Sequence, residues 1–303
     1  MMQHPWSPEI VITEESAAQI IEKQFPELKP ININVMGKGF DNATFLVNNQ
    51  YVFRFPVRKK ASKLIEIENR LLPIVSELVP VTIPLPRYFG KTNGDYPWSF
   101  GGYKILKGNN PTSLTPNQRF LSVEVLAQFL RTLHCFPIQD AEKLVPYDQM
   151  DRMNIEKRKQ MLESQIEKAK QFGFIQGKIA SQLEEIFLNI DNPTDSIPKT
   201  LVHGDLHFRN LLVNKSGKIT SVIDWGDSHI GHPAIDLSVV YSFLPKEART
   251  TFFKLYGNVH QETKRIAQFK AIETTIFHLL FAYELKDYKL VEECKLTLFL
   301  ILN

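Results

Sequence analysis

Two hydrophobic periods alternate along the chain. Ala17, Ile20, Ile21 and Phe25 share one face of a 3.6-residue repeat, with Thr13 before them as a cap and Pro26 after them as a stop, which predicts a helix over 14–25. The period then drops to two. Ile31–Val35 alternates as a half-buried strand, Gly37, Lys38 and Gly39 follow, and strands at Thr44–Val47 and Tyr51–Phe55 are joined by Asn48-Asn49. Alternation in the last of these puts Val52 and Arg54 on one face and Phe53 and Phe55 on the other. A helix from Ser62 to Leu78 comes next, with Leu64, Ile67, Leu71, Leu72 and Val75 as its stripe and Glu68 beside them. Thr92–Asp95 reads as a hairpin turn, and Phe100–Leu106 as a strand running into Gly108 and Pro111.

Past residue 110 the helical period dominates. Pro116, preceded by Thr115, opens a helix on which Phe120, Val123, Ala127, Leu130 and His134 share a face, with His134 read as a packing residue. Further helices are expected over Met150–Phe172, Lys178–Ile190, Lys246–Tyr256 and Ala267–Tyr283, with a last one through Leu302. Phe277, Leu280, Phe281 and Tyr283 are expected in the core, and Glu273, Glu284, Asp287, Glu292 and Glu293 on a charged outer face.

One stretch interrupts this helical half. Thr200–Val202 leads as a short strand into a turn at His203-Gly204-Asp205, and Leu211–Val213 and Ile219–Ile223 flank Asn214–Gly217 as a hairpin with glycine at its left-handed position. The second strand is expected to end on Asp224, which brings Asp205, Asn210 and Asp224 to one edge. A carboxylate and an amide oxygen are hard ligands suited to Mg²⁺, and a second carboxylate can take the proton of an attacking hydroxyl. The spacing H-x-D-x-x-x-x-N followed by D-W-G is that of the phosphoryl-transfer template.

Composition narrows the classes. With 43% apolar and 23% charged residues the chain has the make-up of a globular protein, and a net charge of +3 with no basic run beyond Arg58-Lys59-Lys60 gives no case for nucleic acid. Two cysteines, Cys135 and Cys294, lack metal spacing and point to a reducing, cytoplasmic setting. No signal peptide is expected at the N-terminus, and the apolar run Leu298–Leu302 is too short to cross a bilayer. A G-x-x-x-x-G-K-[ST] motif is lacking, which excludes a P-loop NTPase.

The segments HGDLHFRN (203–210) and IDWGD (223–227) resemble the aminoglycoside phosphotransferase family, kinase-like enzymes that phosphorylate hydroxyls of small molecules. The resemblance covers residues 30–245 and implies an α+β, bilobal protein-kinase-like fold. A small β-rich N-lobe would span residues 1–105 and a larger, mostly helical C-lobe residues 106–303. It implies ATP or GTP with Mg²⁺ and a small hydroxyl-bearing acceptor, while charge and segment length give the expectation of no membrane and no nucleic acid. Asp205 becomes the base, Asn210 and Asp224 the metal ligands, and His203 a packing residue of the loop. Asp236 becomes a brace bonded to loop N–H groups.

Gly37 and Gly39 suit a flap over phosphates, and Arg54 stands where kinases use a Lys, with Glu68 or Glu66 as its partner. Lys104 and Leu106 would present backbone groups to the nucleotide base. His232 departs from the Asp usual at its position, and Asp227 is either a metal-side carboxylate or, by preference, a helix cap. The acceptor stays open among an aminoglycoside, which would imply antibiotic resistance, a macrolide and a small metabolite such as an amino alcohol, and the oligomeric state is open too. A non-catalytic nucleotide-binding module, a protein kinase, and a metallophosphoesterase built on His203, Asp205, His207 and Asp224 are the rival readings.

Overall fold

The computed structural model describes residues 8–38, 41–194 and 197–303. Gly39, one of the two flap glycines, lies outside these residues. The chain forms two compact units, the first made of the chain up to Leu78, Thr82–Lys107 and Ile223–Asp227, the second of Val79–Val81, Gly108–Val222 and Ser228–Asn303.

In the first unit, helix α1 (Glu14–Gln24) starts at Thr13, whose hydroxyl accepts from Ser16 N while Ser16 returns the bond, a capping box. Strands β1 (Ile33–Lys38), β2 (Asn42–Val47) and β3 (Tyr51–Pro56) precede helix α2 (Lys59–Val75) and strands β4 (Pro86–Gly90) and β5 (Phe100–Lys104). All pairings are antiparallel, in the order β1-β2-β3-β5-β4. Asn48 and Asn49, both at φ 53°, make the tight turn between β2 and β3, since asparagine tolerates the left-handed region. The core beneath the sheet is aromatic: Phe53, Phe55 and Phe100 are fully buried, and the rings of Phe55 and Phe100 stack 4.4 Å apart.

Two boundaries differ from expectation here. β1 runs on through Gly37 and Lys38, so Gly37 is a strand residue rather than part of a loop. The helix expected over Ser62–Leu78 starts earlier and ends at Val75, with Pro73 inside its last turn.

The second unit holds α3 (Pro116–Phe120), α4 (Val123–His134), α5 (Ile138–Ala141), α6 (Ile155–Gln171) and α7 (Gly177–Leu188), then β6 (Thr200–Val202), β7 (Leu211–Val213), β8 (Ile219–Val222) and β9 (His229–Gly231). Four more helices close it: α8 (Ala234–Phe243), α9 (Lys246–Tyr256), α10 (Gln261–Glu284) and α11 (Tyr288–Leu302). α10 is the hub, packed against α6, α8 and α11.

The single helix expected from Pro116 is two. It breaks at Leu121-Ser122, where the Ser122 hydroxyl accepts from Ile219 N at 2.9 Å, and Phe120 is left exposed. Phe277 and Tyr283, expected in the core, are 39% and 37% exposed. Glu293, expected on an outer face, is buried and paired with the equally buried Arg119 at 2.8 Å.

Candidate functional site

The first unit gathers four of the chemistry-bearing side chains. Arg54 leaves β3 on the face opposite Phe53 and Phe55, as the pleat dictates. Its Nη1 donates to Glu68 Oε1 at 2.6 Å and its Nη2 to Asp224 Oδ1 at 2.8 Å. Glu68 is the partner on α2, 1% exposed, while Glu66 points to solvent. The second Glu68 oxygen accepts from the Tyr103 hydroxyl of β5 at 2.6 Å. Nothing in the sequence marks Tyr103, since strand register alone brings it to α2. Burial works against the charge of Arg54, but Glu68 and then Asp224 outweigh it and push the guanidinium above its ordinary range.

Asp224 stands at φ 67°, a left-handed conformation that a non-glycine residue rarely keeps, and its side chain is 49% exposed. β8 ends at Val222, two residues before it. Gly226 follows it for a steric reason: a Cβ there would meet Leu64 Cβ of α2 at 3.0 Å. Asp227 caps no helix, because β9 comes next and α8 begins only after Pro233.

Lys104 is exposed at the end of β5, and Ile105 N donates to Gln50 O at 2.8 Å. Leu106, two residues on, is half-buried.

In the second unit the loop after β6 turns on Gly204, at φ 88°, a left-handed conformation that favours glycine. Asp236, fully buried in the first turn of α8, accepts from His203 N at 2.7 Å and Gly204 N at 3.0 Å. His134 Nε2 lies 3.1 Å from the same carboxylate, and its Nδ1 lies 2.7 Å from the Tyr256 hydroxyl. Burial pushes the Asp236 carboxyl up, but His134, His203 and the Gly204 N–H more than offset this and hold it below its usual range. His203 is fully buried, and its Nδ1 accepts from Asp205 N at 3.3 Å.

Asp205 is 42% exposed at its side chain. Asn210, at the end of a 3₁₀ turn over Phe208–Asn210, donates from Nδ2 to the Asp205 carbonyl at 2.8 Å and to Asp205 Oδ2 at 3.3 Å. His207 Nε2 lies 3.4 Å from the same Oδ2, and the His278 ring of α10 packs on His207 with centroids 4.4 Å apart. Burial pushes the Asp205 carboxyl up, but His207 first and then His278 and His203 hold it well below the usual carboxylate range. It is an ionised acceptor at neutral pH.

The donors expected for a metal fit Mg²⁺ in kind. The Asn210 amide has its nitrogen turned to Asp205, which places its oxygen on the other side, and the Asp224 carboxylate is half exposed. Among the described residues no group of three or more His, Cys, Asp or Glu is arranged to hold a metal. No helix of the described residues is long and apolar enough to cross a membrane.

A model of the phosphotransferase enzyme family matches residues 32–269. A curated relative, the uncharacterized protein YcbJ of Bacillus subtilis, is 35% identical over 51 residues, 17% of this chain and 16% of the length of that protein. Among solved structures, the GDP complex of aminoglycoside 2'-phosphotransferase-IIIa superposes with a TM-score of 0.69 at 23% identity, covering 96% of this chain and 99% of that one. The macrolide 2'-phosphotransferase MphH of Brachybacterium faecium superposes with a TM-score of 0.61 at 16% identity, covering 94% and 97%. At such identities the structures speak for the fold, a mixed α+β kinase-like one with an N-terminal antiparallel sheet and a helical C-terminal part. The family match spans the sheet, the Asp205 loop, the Asp224 segment and most of α10, and with it the chain belongs to the phosphotransferase enzyme family and is a phosphotransferase.

Proposed function

We propose that the chain transfers the γ-phosphoryl group of ATP or GTP to a hydroxyl of a small molecule, with Asp205 as the base. The observation that carries this reading is the state of Asp205: ionised, 42% exposed, and held by Asn210 on a loop pinned to the buried Asp236. An acceptor hydroxyl gives its proton to Asp205 as its oxygen forms a bond to the γ-phosphorus. The bond from phosphorus to the bridging oxygen breaks, and its electron pair leaves with the nucleoside diphosphate.

Arg54, fixed in direction by Glu68, grips phosphate oxygens. Gly37 would lie near the phosphates, and the backbone at Lys104 and Leu106 would read the base. Mg²⁺ held by Asn210 and Asp224 would neutralise charge on the phosphates. Neighbouring structures named for bound GDP with kanamycin, and for ATP with streptomycin, support a nucleotide donor and a hydroxylated acceptor. Macrolide phosphotransferases among the neighbours keep that acceptor class open beside aminoglycosides and small metabolites.

A metallophosphoesterase site would need His203 as a ligand. Its full burial and the bond its Nδ1 accepts from Asp205 N speak against that. A non-catalytic nucleotide-binding module is separated by experiment. Coupled ADP release is measured across aminoglycosides, macrolides and small hydroxyl metabolites, with Asp205→Asn as control. A general base contributes about 10²–10⁴-fold. Asp205→Asn is therefore expected to keep nucleotide binding and lose turnover by a factor in that range. Unchanged turnover in this variant would remove Asp205 from the role.

A further inference from the structure

His207, beyond its effect on the Asp205 charge, takes no step in the proposed transfer, yet it is buried against the base. Its Nδ1 accepts a hydrogen bond from Arg209 N at 3.2 Å, the cap of the 3₁₀ turn. A neutral imidazole has one N–H and one bare nitrogen, so an accepting Nδ1 puts the proton on Nε2. That Nε2 lies 3.4 Å from Asp205 Oδ2, the oxygen that also faces Asn210 Nδ2 at 3.3 Å. Asn210 Nδ2 lies 3.4 Å from His207 Nε2 as well, and with both atoms carrying hydrogen that approach is a packing contact, not a bond. The His278 ring, 4.4 Å away between centroids, closes the space into which the His207 ring could turn.

We propose that His207 is a positioning residue for the base: its Nε2–H, with Asn210, holds Oδ2 of Asp205 and leaves Oδ1 as the oxygen that takes the acceptor's proton. This rests on Asp205 being the base, as proposed above. The arrangement uses the same ring twice, Nδ1 to cap the turn and Nε2 to aim the carboxylate. Burial pushes His278 well below the usual imidazole range, so His207 packs against an uncharged ring. Misplacing a reacting group by about 1 Å costs on the order of 10²-fold in rate, and that is the effect expected when the Nε2–H is lost.

Two near-isosteric substitutions separate the two uses. Asn at 207 places an amide oxygen near the Nδ1 position and keeps the cap without the donor. Gln places an N–H near the Nε2 position and keeps the donor without the cap. The readout is ADP release from Mg–ATP with water as the acceptor, alongside the melting temperature of each variant. His207→Asn is expected to lower kcat by about 10²-fold with nucleotide KM unchanged and melting close to wild type, while His207→Gln keeps kcat within about threefold. The reverse order, with His207→Asn active and His207→Gln impaired in step with its lower melting temperature, would reduce His207 to a cap and overturn the proposal. Long-range ¹H–¹⁵N spectra of histidine-labelled wild-type protein supply a test that no folding defect can obscure. His207 is expected as the Nε2–H tautomer, and an Nδ1–H signal would also overturn it. If Asp205→Asn hydrolyses Mg–ATP like wild type, the base assignment itself has failed, a result distinct from either outcome at His207.

Discussion

Replacing Asp236 by Asn tests how the loop carrying the base is held. The carboxylate accepts from His203 N at 2.7 Å and from Gly204 N at 3.0 Å, with His134 Nε2 at 3.1 Å, all out of contact with solvent. Hydrogen bonds to a charged acceptor contribute about 1.5–3 kcal/mol each, and an orphaned buried donor costs about 1–3 kcal/mol. Asn keeps the shape and one oxygen but turns the other into an NH₂ that faces a donor. One charge-assisted bond is lost and one N–H is stranded, a destabilisation on the order of 3–5 kcal/mol. Urea unfolding followed by tryptophan fluorescence reads it, because Trp225 is 1% exposed in the native fold. The kcat of Asp236→Asn, measured below its unfolding range, is expected to fall as well, since Gly204 and Asp205 share the released turn. Unfolding within about 0.5 kcal/mol of wild type, the spread of ordinary surface changes, would refute the brace.

Two further predictions come from the same kind of accounting. Glu68→Ala strips Arg54 and the Tyr103 hydroxyl of a buried partner, so stability is expected to fall by about 3–5 kcal/mol and nucleotide KM to rise, read by urea unfolding and steady-state kinetics. His232 is pushed down to about 4, by burial first and then by His134, against Glu262, and its Nδ1 accepts from Ala234 N at 3.1 Å. Between pH 6.5 and 4 the unfolded chain binds a proton that the folded imidazole refuses, so stability falls as pH drops through that window. The slope approaches about 1.4 kcal/mol per pH unit, and His278 acts in the same sense. The lowered Asp205 and Asp236 carboxyls lose their contribution only below the ordinary carboxylate range, so they do not blur the window. A melting temperature flat from pH 6.5 to 4.5, or a slope unchanged in His232→Asn, would count against it.

What could be read from the chain was what local chemistry determines. Thr13 with Ser16, the Asn48-Asn49 turn and Gly217 at φ 92° each fix their own neighbourhood, and the elements around them are as expected. β4 is hard to read in the sequence, since prolines at 84 and 86 suggest a loop, yet an edge strand tolerates proline, and β4 is the edge beside β5. The break before Val123 depends on Ser122 meeting a backbone N–H 97 residues away, which no helical period encodes. Glu293 looked like an outer-face acid until Arg119, 174 residues earlier, came to it. The Asp205 loop is legible as a motif, whereas His207 inside it is read only as a metal ligand of the metallophosphoesterase rival. Its contact with His278 exists only once α10 is in place.

The choice of Arg at position 54 follows from what it joins within the first unit. A lysine ammonium is a point charge that one carboxylate can absorb, whereas the guanidinium offers separate N–H groups in one plane. Here one goes to Glu68, nearly out of solvent, and another to Asp224, half in it. Holding Asp224 in the left-handed region costs about 1–2 kcal/mol. A charge-assisted bond contributes about 1.5–3 kcal/mol, nearer the lower end where the group is half exposed and screened. The bond to Arg54 therefore offsets a backbone cost of similar order. Glu68, with Tyr103 on its other oxygen, is by contrast fixed from both sides. Arg54 is thus anchored by one carboxylate and only lightly engaged by the other, the asymmetry needed if its Nη2 is to be released to a phosphate while its Nη1 stays on Glu68.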